Sequence, residues 1–262
     1  MRLASWRLVE ELLDLADVAL ELADIRDPLA TRSHRLESLI RRRGMPFILV
    51  LNKSDLVPRS IAESWKKYFE SRERIRTVYI AARDRKGTRV LRRTIKEVAG
   101  KSPITVAIFG IPKVGKSTLI NILKGRHSAR TSPYPGTPGY TTRAQLYRIG
   151  GNIYLIDTPG IVPPESNDVE SLIRSKAIDE LENPVEIAVR LINKIVKHNP
   201  KAFLQAYSID STDPNEILRV IAIKRGWLYK KDREPILQEA AKALIRDYLD
   251  GKIPFYVKPP QP

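Results

Sequence analysis

A chain of 262 residues that is 42% hydrophobic and 29% charged can build one large soluble domain, or a core domain of roughly 150 to 170 residues with a smaller one attached. No apolar run approaches the ~20 residues of a membrane span, Met1 to Asp24 lacks a secretory signal pattern, and cysteine is absent, so a membrane span, disulfides and thiolate metal sites are excluded and a cytoplasmic location is expected. The net charge of +16 favours a polyanionic partner, and it is lopsided: residues 1–163 hold 30 Lys and Arg against 15 Asp and Glu, residues 164–262 hold 16 against 15.

In chain order, amphipathic periodicity predicts a helix over Leu3 to Leu15, then an apolar strand at Val18 to Ala23. A helix follows at Thr31 to Arg43, a strand at Phe47 to Leu51, a helix at Ile61 to Arg72 and a strand at Thr77 to Ala81. Further on come a helix at Val90 to Val98, a strand at Ile104 to Phe109 and a helix at Lys116 to Leu123. Gly150-Gly151 should turn Gln145 to Ile149 and Ile153 to Ile156 into a hairpin. Strand signals nearly stop beyond Pro164. Helical stripes replace them, Ile187, Leu191, Ile195 and Val196 on one, and Ile236, Leu237, Ala240, Leu244, Ile245 and Leu249 on another. The pattern is that of an α/β domain over residues 1–163, a mostly parallel sheet with helices on both faces, followed by a small all-helical domain over 164–253. The Pro-rich end, 254–262, is expected to hang free.

Three strand ends carry chemistry. Gly110-Ile111-Pro112-Lys113-Val114-Gly115-Lys116-Ser117 lies between a strand and a helix, the context of a phosphate-binding P-loop. There the backbone of Pro112, Lys113, Val114, Gly115, Lys116, Ser117 and Thr118 would surround the phosphates, Lys116 would neutralise their charge and Ser117 would ligate Mg²⁺. The bland alternative is a glycine-bounded turn with a solvated lysine. Asn52-Lys53-Ser54-Asp55 closes another strand: Asp55 can accept from guanine N1 and its amine, Asn52 would reach the base's acceptor edge, and the Lys53 stem would lie along its face. A carboxylate facing adenine would lose those partners, a type of mismatch that discriminates by ~10⁴ or more. A polar turn with an Asx cap would look the same. Asp157-Thr158-Pro159-Gly160 ends a third strand, with Asp157 placed to hold Mg²⁺ through water and the Gly160 N–H to meet a γ-phosphate. Two weaker pieces join them: the Ala82 N–H, for guanine O6, and the Thr141-Thr142 pair in a Gly/Pro-rich loop, with Thr142 preferred over Thr141 as the group that reaches Mg²⁺ when GTP is bound.

The guanine-reading segment precedes the phosphate loop, the reverse of an ordinary GTPase. With Asp24-Ile25-Arg26-Asp27-Pro28-Leu29 and the stretches around Lys224-Arg225-Gly226 and Asp250-Gly251-Lys252, this order resembles the circularly permuted GTPases of the YlqF/YawG type over nearly the whole chain. The resemblance implies a P-loop GTPase domain with a circularly permuted sheet, binding of GTP and GDP with Mg²⁺, hydrolysis of GTP, and association with rRNA or the large ribosomal subunit precursor, the C-terminal helices contacting RNA. Lys116, Thr142 and Gly160 would then serve hydrolysis. Ile161 stands where many GTPases carry a water-positioning glutamine, which implies slow intrinsic turnover. Lys113 stands where relatives often have an asparagine that helps bind K⁺; its ammonium either replaces that ion or is solvated. His34, His127 and His198 fall in no motif, and a monomer is favoured.

Three basic clusters could meet RNA or line a solvated face: Arg41-Arg42-Arg43 with Arg32 and Arg35; Arg83, Arg85, Lys86, Arg89, Arg92 and Arg93; and Arg219, Lys224, Arg225, Lys230, Lys231 and Arg233 among Trp227 and Tyr229. A GTP-dependent regulator of a protein partner, without RNA, is the alternative reading.

Overall fold

Apolar runs covered on both faces must become central strands of a sheet sandwiched by helices. The computed structural model describes residues 5–124, 130–131, 145–157 and 168–261, which fall into two compact units, one built on 5–157 and the other on 168–257.

In the first unit Ser5 caps α1 (Trp6–Asp14) by accepting the Leu8 N–H at 3.2 Å. β1 (Val18–Asp24) follows, buried along its whole length. Where one helix was expected over Thr31 to Arg43, the chain makes a short α2 (Pro28–Thr31) and a separate α3 (His34–Arg42). The break has a local cause. Ser33 accepts the Leu36 N–H at 3.1 Å as an N-cap, which leaves Arg32 extended and free to turn inward. β2 (Phe47–Asn52), α4 (Arg59–Arg72), β3 (Thr77–Tyr79), α5 (Thr88–Ala99), β4 (Ile104–Phe109) and α6 (Lys116–Lys124) come next, then β5 (Arg130–Thr131), β6 (Gln145–Arg148) and β7 (Ile153–Asp157). β3 ends two residues early because Ala81 leaves the sheet to bridge with Lys86, closing the Ala82 loop.

The strands form a seven-stranded sheet in the order β3-β2-β1-β4-β7-β6-β5. β3, β2, β1, β4 and β7 are parallel, and at one edge β6 pairs antiparallel with β7 and β5 antiparallel with β6. Gly150 and Gly151, with φ of 94° and 60°, make the expected turn between β6 and β7. On one face Leu20, Leu22, Val106 and Ile108 pack with Leu91 and Ile95 of α5 and Leu119 of α6. The opposite face sets Ala19, Phe109 and Ile156 against Val9 and Leu13 of α1 and Leu36 and Ile40 of α3. The period-2 alternation of β1 puts Glu21 on that second face, fully buried. Its Oε1 accepts the Ser33 N–H at 2.5 Å and its Oε2 is buried without a hydrogen-bond partner. Burial, then the nearby Glu37 carboxylate, push the Glu21 carboxyl well above the usual range, against the opposing pull of the Ser33 N–H and Arg32. Arg32 itself chelates Glu37 at 2.6 Å and Glu73 at 2.8 and 2.6 Å, so it is a buried tie between α3 and the end of α4 rather than part of a basic surface.

The second unit is helical: α7 (Val169–Ser175), α8 (Pro184–His198), α9 (Ala202–Tyr207), α10 (Pro214–Lys224) and α11 (Leu237–Leu249). The expected stripes face its core, with Ile187, Leu191, Ile195, Ala240, Leu244 and Ile245 buried and Val196, Leu237 and Leu249 partly so, while Ile236 precedes α11 as its N-cap. The terminal segment departs from expectation. Phe255, 2% exposed, packs edge-on to His198 and lies under the Lys194 ammonium, so residues just after Pro254 are anchored by an aromatic side chain whose burial contributes about 2 to 3 kcal/mol. The boundary expected near residue 164 lies outside the described residues.

Candidate nucleotide-binding site

In a doubly covered parallel sheet the crevice for ligands lies beyond the carboxyl ends of the strands. β4 is flanked by β1 and β7, and its carboxyl end runs into the glycine loop before α6. The first intrahelical bond at this end is from the Leu119 N–H to the Gly115 carbonyl, so the N–H groups of the preceding turn have no partner within α6, where the helix dipole favours an anion. Lys116 is buried, Ser117 and Thr118 are exposed, Pro112 and Val114 are buried, and Lys113 takes a left-handed φ of 64°. Gly115 has φ of 101°, and a Cβ there would run into Asn52 Nδ2.

That collision reports a close contact between two motifs separated by more than fifty residues. Asn52, at the end of β2 and 3% exposed, donates from Nδ2 to the Val114 carbonyl at 2.9 Å and accepts the Ala82 N–H on Oδ1 at 3.1 Å. Asn52 therefore ties the phosphate loop to the Ala82 loop; in this structure both functions of its amide, and the Ala82 N–H expected to face guanine O6, are engaged in that tie. Lys53 has φ of 66°, and its ammonium pairs with Asp24 Oδ2 at 2.9 Å. Asp24 is also gripped by Arg26, Nε at 3.0 Å and NH2 at 2.8 Å, with Asp24 and Arg26 each 1% exposed. The Ser54 N–H donates to the Ile80 carbonyl at 3.0 Å, which fixes the turn against β3. The Asp55 carboxylate is exposed, with no ion pair or hydrogen bond among the described residues.

The Asp24–Arg26 pair is the part that motif reading did not assign a role. Its signal was present in the sequence, two acids and an arginine directly after a strand, and β1–β2 register sets Asp24 opposite Asn52. Asp157 ends β7, beside the phosphate-loop strand, in the register that pairs Ile156 with Ala107. Its side chain, and Thr141, Thr142, Thr158, Gly160 and Ile161, lie outside the described residues. No helix among the described residues is long and apolar enough to cross a membrane.

A parallel sheet whose central strand feeds a glycine loop and helix, with the Asn-Lys-x-Asp turn on a strand earlier in the chain, is a P-loop GTPase domain in permuted order. Residues 105–224 match the family model described as 50S ribosome-binding GTPase. The chain is 37% identical over 256 residues to an uncharacterized GTP-binding protein of Methanocaldococcus jannaschii, covering 95% of this chain and 66% of that protein. It is 31% identical over 261 residues to Nucleolar GTP-binding protein 2 of Schizosaccharomyces pombe, covering 97% of this chain and 48% of that protein. It thus spans less than two thirds of the length of these relatives, 66% of one and 48% of the other. Two solved structures of YlqF, one GDP-bound and one from T. maritima bound to GNP, share the fold with a TM-score of 0.69 at 23% identity, over 97% and 96% of this chain and 99% and 96% of theirs. The chain is thus similar to GTP-binding proteins and shares its fold with the circularly permuted GTPase YlqF.

Proposed function

We propose that the protein is a GTP-binding and GTP-hydrolysing switch that associates with rRNA or the large ribosomal subunit during its assembly. The observation that carries the nucleotide part is the Asn52 tie, which joins the phosphate loop and the base-reading turn into one crevice. In this reading Asp55 accepts from guanine N1 and the exocyclic amine, the Lys53 stem, held by Asp24, covers the base, and the Ala82 N–H is shared with guanine O6. The N–H groups at the start of α6 and Lys116 take the phosphates.

Ser117, Asp157 and Thr142 offer the hard oxygen donors that suit Mg²⁺ beside phosphate oxygens, and the exposed Ser117 hydroxyl at the start of α6, one strand from Asp157, fits that use. Bound with GTP, Mg²⁺ neutralises charge on the phosphates. Lys116 stabilises charge as water adds to the γ-phosphorus and the bridging oxygen leaves with GDP, and the Gly160 N–H holds a γ-oxygen until phosphate departs. Ile161 positions no water, so turnover is slow without a partner. Lys113, in left-handed backbone that asparagine tolerates well, places an ammonium where relatives recruit K⁺. Lys113→Asn is expected to make hydrolysis depend on K⁺; steady-state rates in K⁺ and Na⁺ that stay equal in that variant remove this role.

Residues 1–163 act as the nucleotide domain and 164–253 as the RNA-contacting domain of a cytoplasmic, monomeric protein. The net charge of +16 and the relatives' nucleolar names support the ribosomal partner. Cosedimentation with large subunits, their precursors and small subunits, in GTP-analogue and GDP states, tests it: state-dependent binding to large subunits or their precursors is expected. Tight binding to a protein partner with no RNA dependence would favour the alternative, a regulator of another protein.

A further inference from the structure

Several surface cations of the first unit are countered by carboxylates. Arg43 pairs with Asp14 at 3.0 Å, Arg41 with Glu37 at 3.7 Å, Arg59 with Glu63 at 3.7 Å, Lys66 with Glu70 at 3.7 Å and Arg76 with Glu97 at 2.8 Å. The outward side of α5 differs. Arg89, Arg92, Arg93 and Lys96 recur at the i, i+3, i+4, i+7 spacing of one helical stripe, the inward residues Leu91 and Ile95 being buried. Together with Ile149, Gly150, Gly151 and Ile153 of the β6–β7 hairpin they line a concavity of about 570 Å³ that has no carboxylate in its lining among the described residues.

Of these four cations only Arg93 has an acidic partner among the described residues, Glu97 at 3.5 Å. Arg92 donates from NH2 to the Leu123 carbonyl at 3.1 Å and keeps its Nε buried with no hydrogen-bond partner. Lys96 lies so close over Gly151 that a Cβ there would come within 2.7 Å of its ammonium. The hairpin glycine thus leaves room for a lysine laid across the floor of the concavity. Four cations lining one concavity with a single acidic partner among the described residues make a surface that favours an anion.

From this placement we propose that the α5 stripe and the hairpin form an RNA-backbone site on the GTPase domain, separate from the nucleotide crevice and from the helical unit. The proposal rests on the ribosomal reading above. The stripe from Arg89 to Lys96 covers about 10 Å at 1.5 Å per residue, the axial length of about three nucleic-acid charges at ~3.4 Å each. Guanidinium forks take phosphate oxygens in pairs. The concavity on the other side of α5, lined by Glu63 and Glu70 as well as Lys66 and Arg76, has the mixed charge of a surface without such a task.

The test uses the full chain, GDP-bound, with a fluorescein-labelled 24-nucleotide RNA hairpin and a poly-glutamate peptide as probes, read by anisotropy over a salt series. Arg89→Glu/Lys96→Glu is expected to weaken hairpin binding by at least about ten-fold and to lower the slope of log affinity against log salt by about 2, one for each lost phosphate contact. Arg89→Lys/Lys96→Arg should keep both, and all variants should bind a fluorescent GDP analogue like the parent. An unchanged affinity and slope in the double glutamate variant overturn the site. Poly-glutamate competing as well as RNA overturns it in favour of an acidic protein partner. If large subunits still cosediment with the parent while the variant's RNA binding is unchanged, only the site falls; if the parent binds neither hairpin nor subunits, the ribosomal reading falls with it.

Discussion

The two units treat buried polarity in opposite ways. In the helical unit Glu170, 0% exposed, spends both oxygens on its own neighbours: Oε1 accepts from Lys194 at 2.9 Å and from the Tyr248 hydroxyl, Oε2 from Arg174 at 3.0 Å. Asp247 is likewise closed in. Burial alone would raise its carboxyl, but hydrogen bonds from Lys252, Tyr207 and Arg225 hold it below the ordinary carboxylate range. At the strand ends of the α/β unit the network stays open: Asn52, Asp24 and Arg26 are satisfied, while the exposed Asp55 carboxylate has no ion pair or hydrogen bond among the described residues. A closed network holds helices together. An open one is a binding site whose unused groups wait for a ligand.

The strongest way to break this contrast is Arg174→Ala, which leaves Glu170 buried without its guanidinium. A loss of about 3 to 5 kcal/mol is expected, confined to the helical unit. Amide hydrogen exchange should rise in α8 and α11 and stay unchanged in α5; equal rises in both units would show that the two networks are not independent.

Next in size is Gly115→Ala. The methyl group meets the Asn52 amide in backbone at φ 101°, a strain of about 1 to 3 kcal/mol, so affinity for GDP should fall about ten- to a hundred-fold with little change in the helical unit. Titration of a fluorescent GDP analogue measures this, and parental affinity would mean that the loop and Asn52 separate when nucleotide binds.

Asp24→Asn sharpens the open side of the comparison. The side chain keeps its shape but no longer offsets Lys53 and Arg26, so the lysine stem loses its anchor and guanine nucleotide affinity should drop about ten-fold, close to 1.4 kcal/mol. An unaltered GTP-over-ATP preference and affinity would make Asp24 a purely structural counter-ion.

The smallest effect concerns Glu21, whose buried Oε2 has no hydrogen-bond partner among the described residues. Its folded value is raised, so the folded state holds a proton that the unfolded chain releases at ~4.3. The stability it contributes is complete below that value and is lost as pH rises through the folded value. Glu21→Gln should flatten this decline in Tm as pH rises above about 4.3; parallel curves for the two proteins would show that Glu21 does not titrate there.

Much of this molecule was legible in one dimension because its signals are local. Continuous apolar runs at Ile104 to Phe109 and Phe47 to Leu51 can only be covered parallel strands, and Gly150-Gly151 can hardly be anything but a turn. The helical stripes of α8 and α11 followed from period alone. Charge was harder to read. Arg32 looked like surface beside Arg41 to Arg43, yet the Ser33 cap breaks the helix and turns it into a buried double chelate, an outcome set by Glu73 forty residues away. Phe255 in a Pro-rich end became core because His198 and Lys194 of α8 offer it a pocket.

What the amino-acid order determined by itself was the alternation of strands and helices over the first half of the chain and the motifs at three strand ends, since each depends on side chains a few residues apart. Only the tertiary structure decided which groups meet: Asn52 between two loops, Asp24 on Lys53, and four α5 cations around a hairpin glycine. Those contacts span long separations in the chain, and their energies depend on burial and distance, quantities that a linear pattern does not contain.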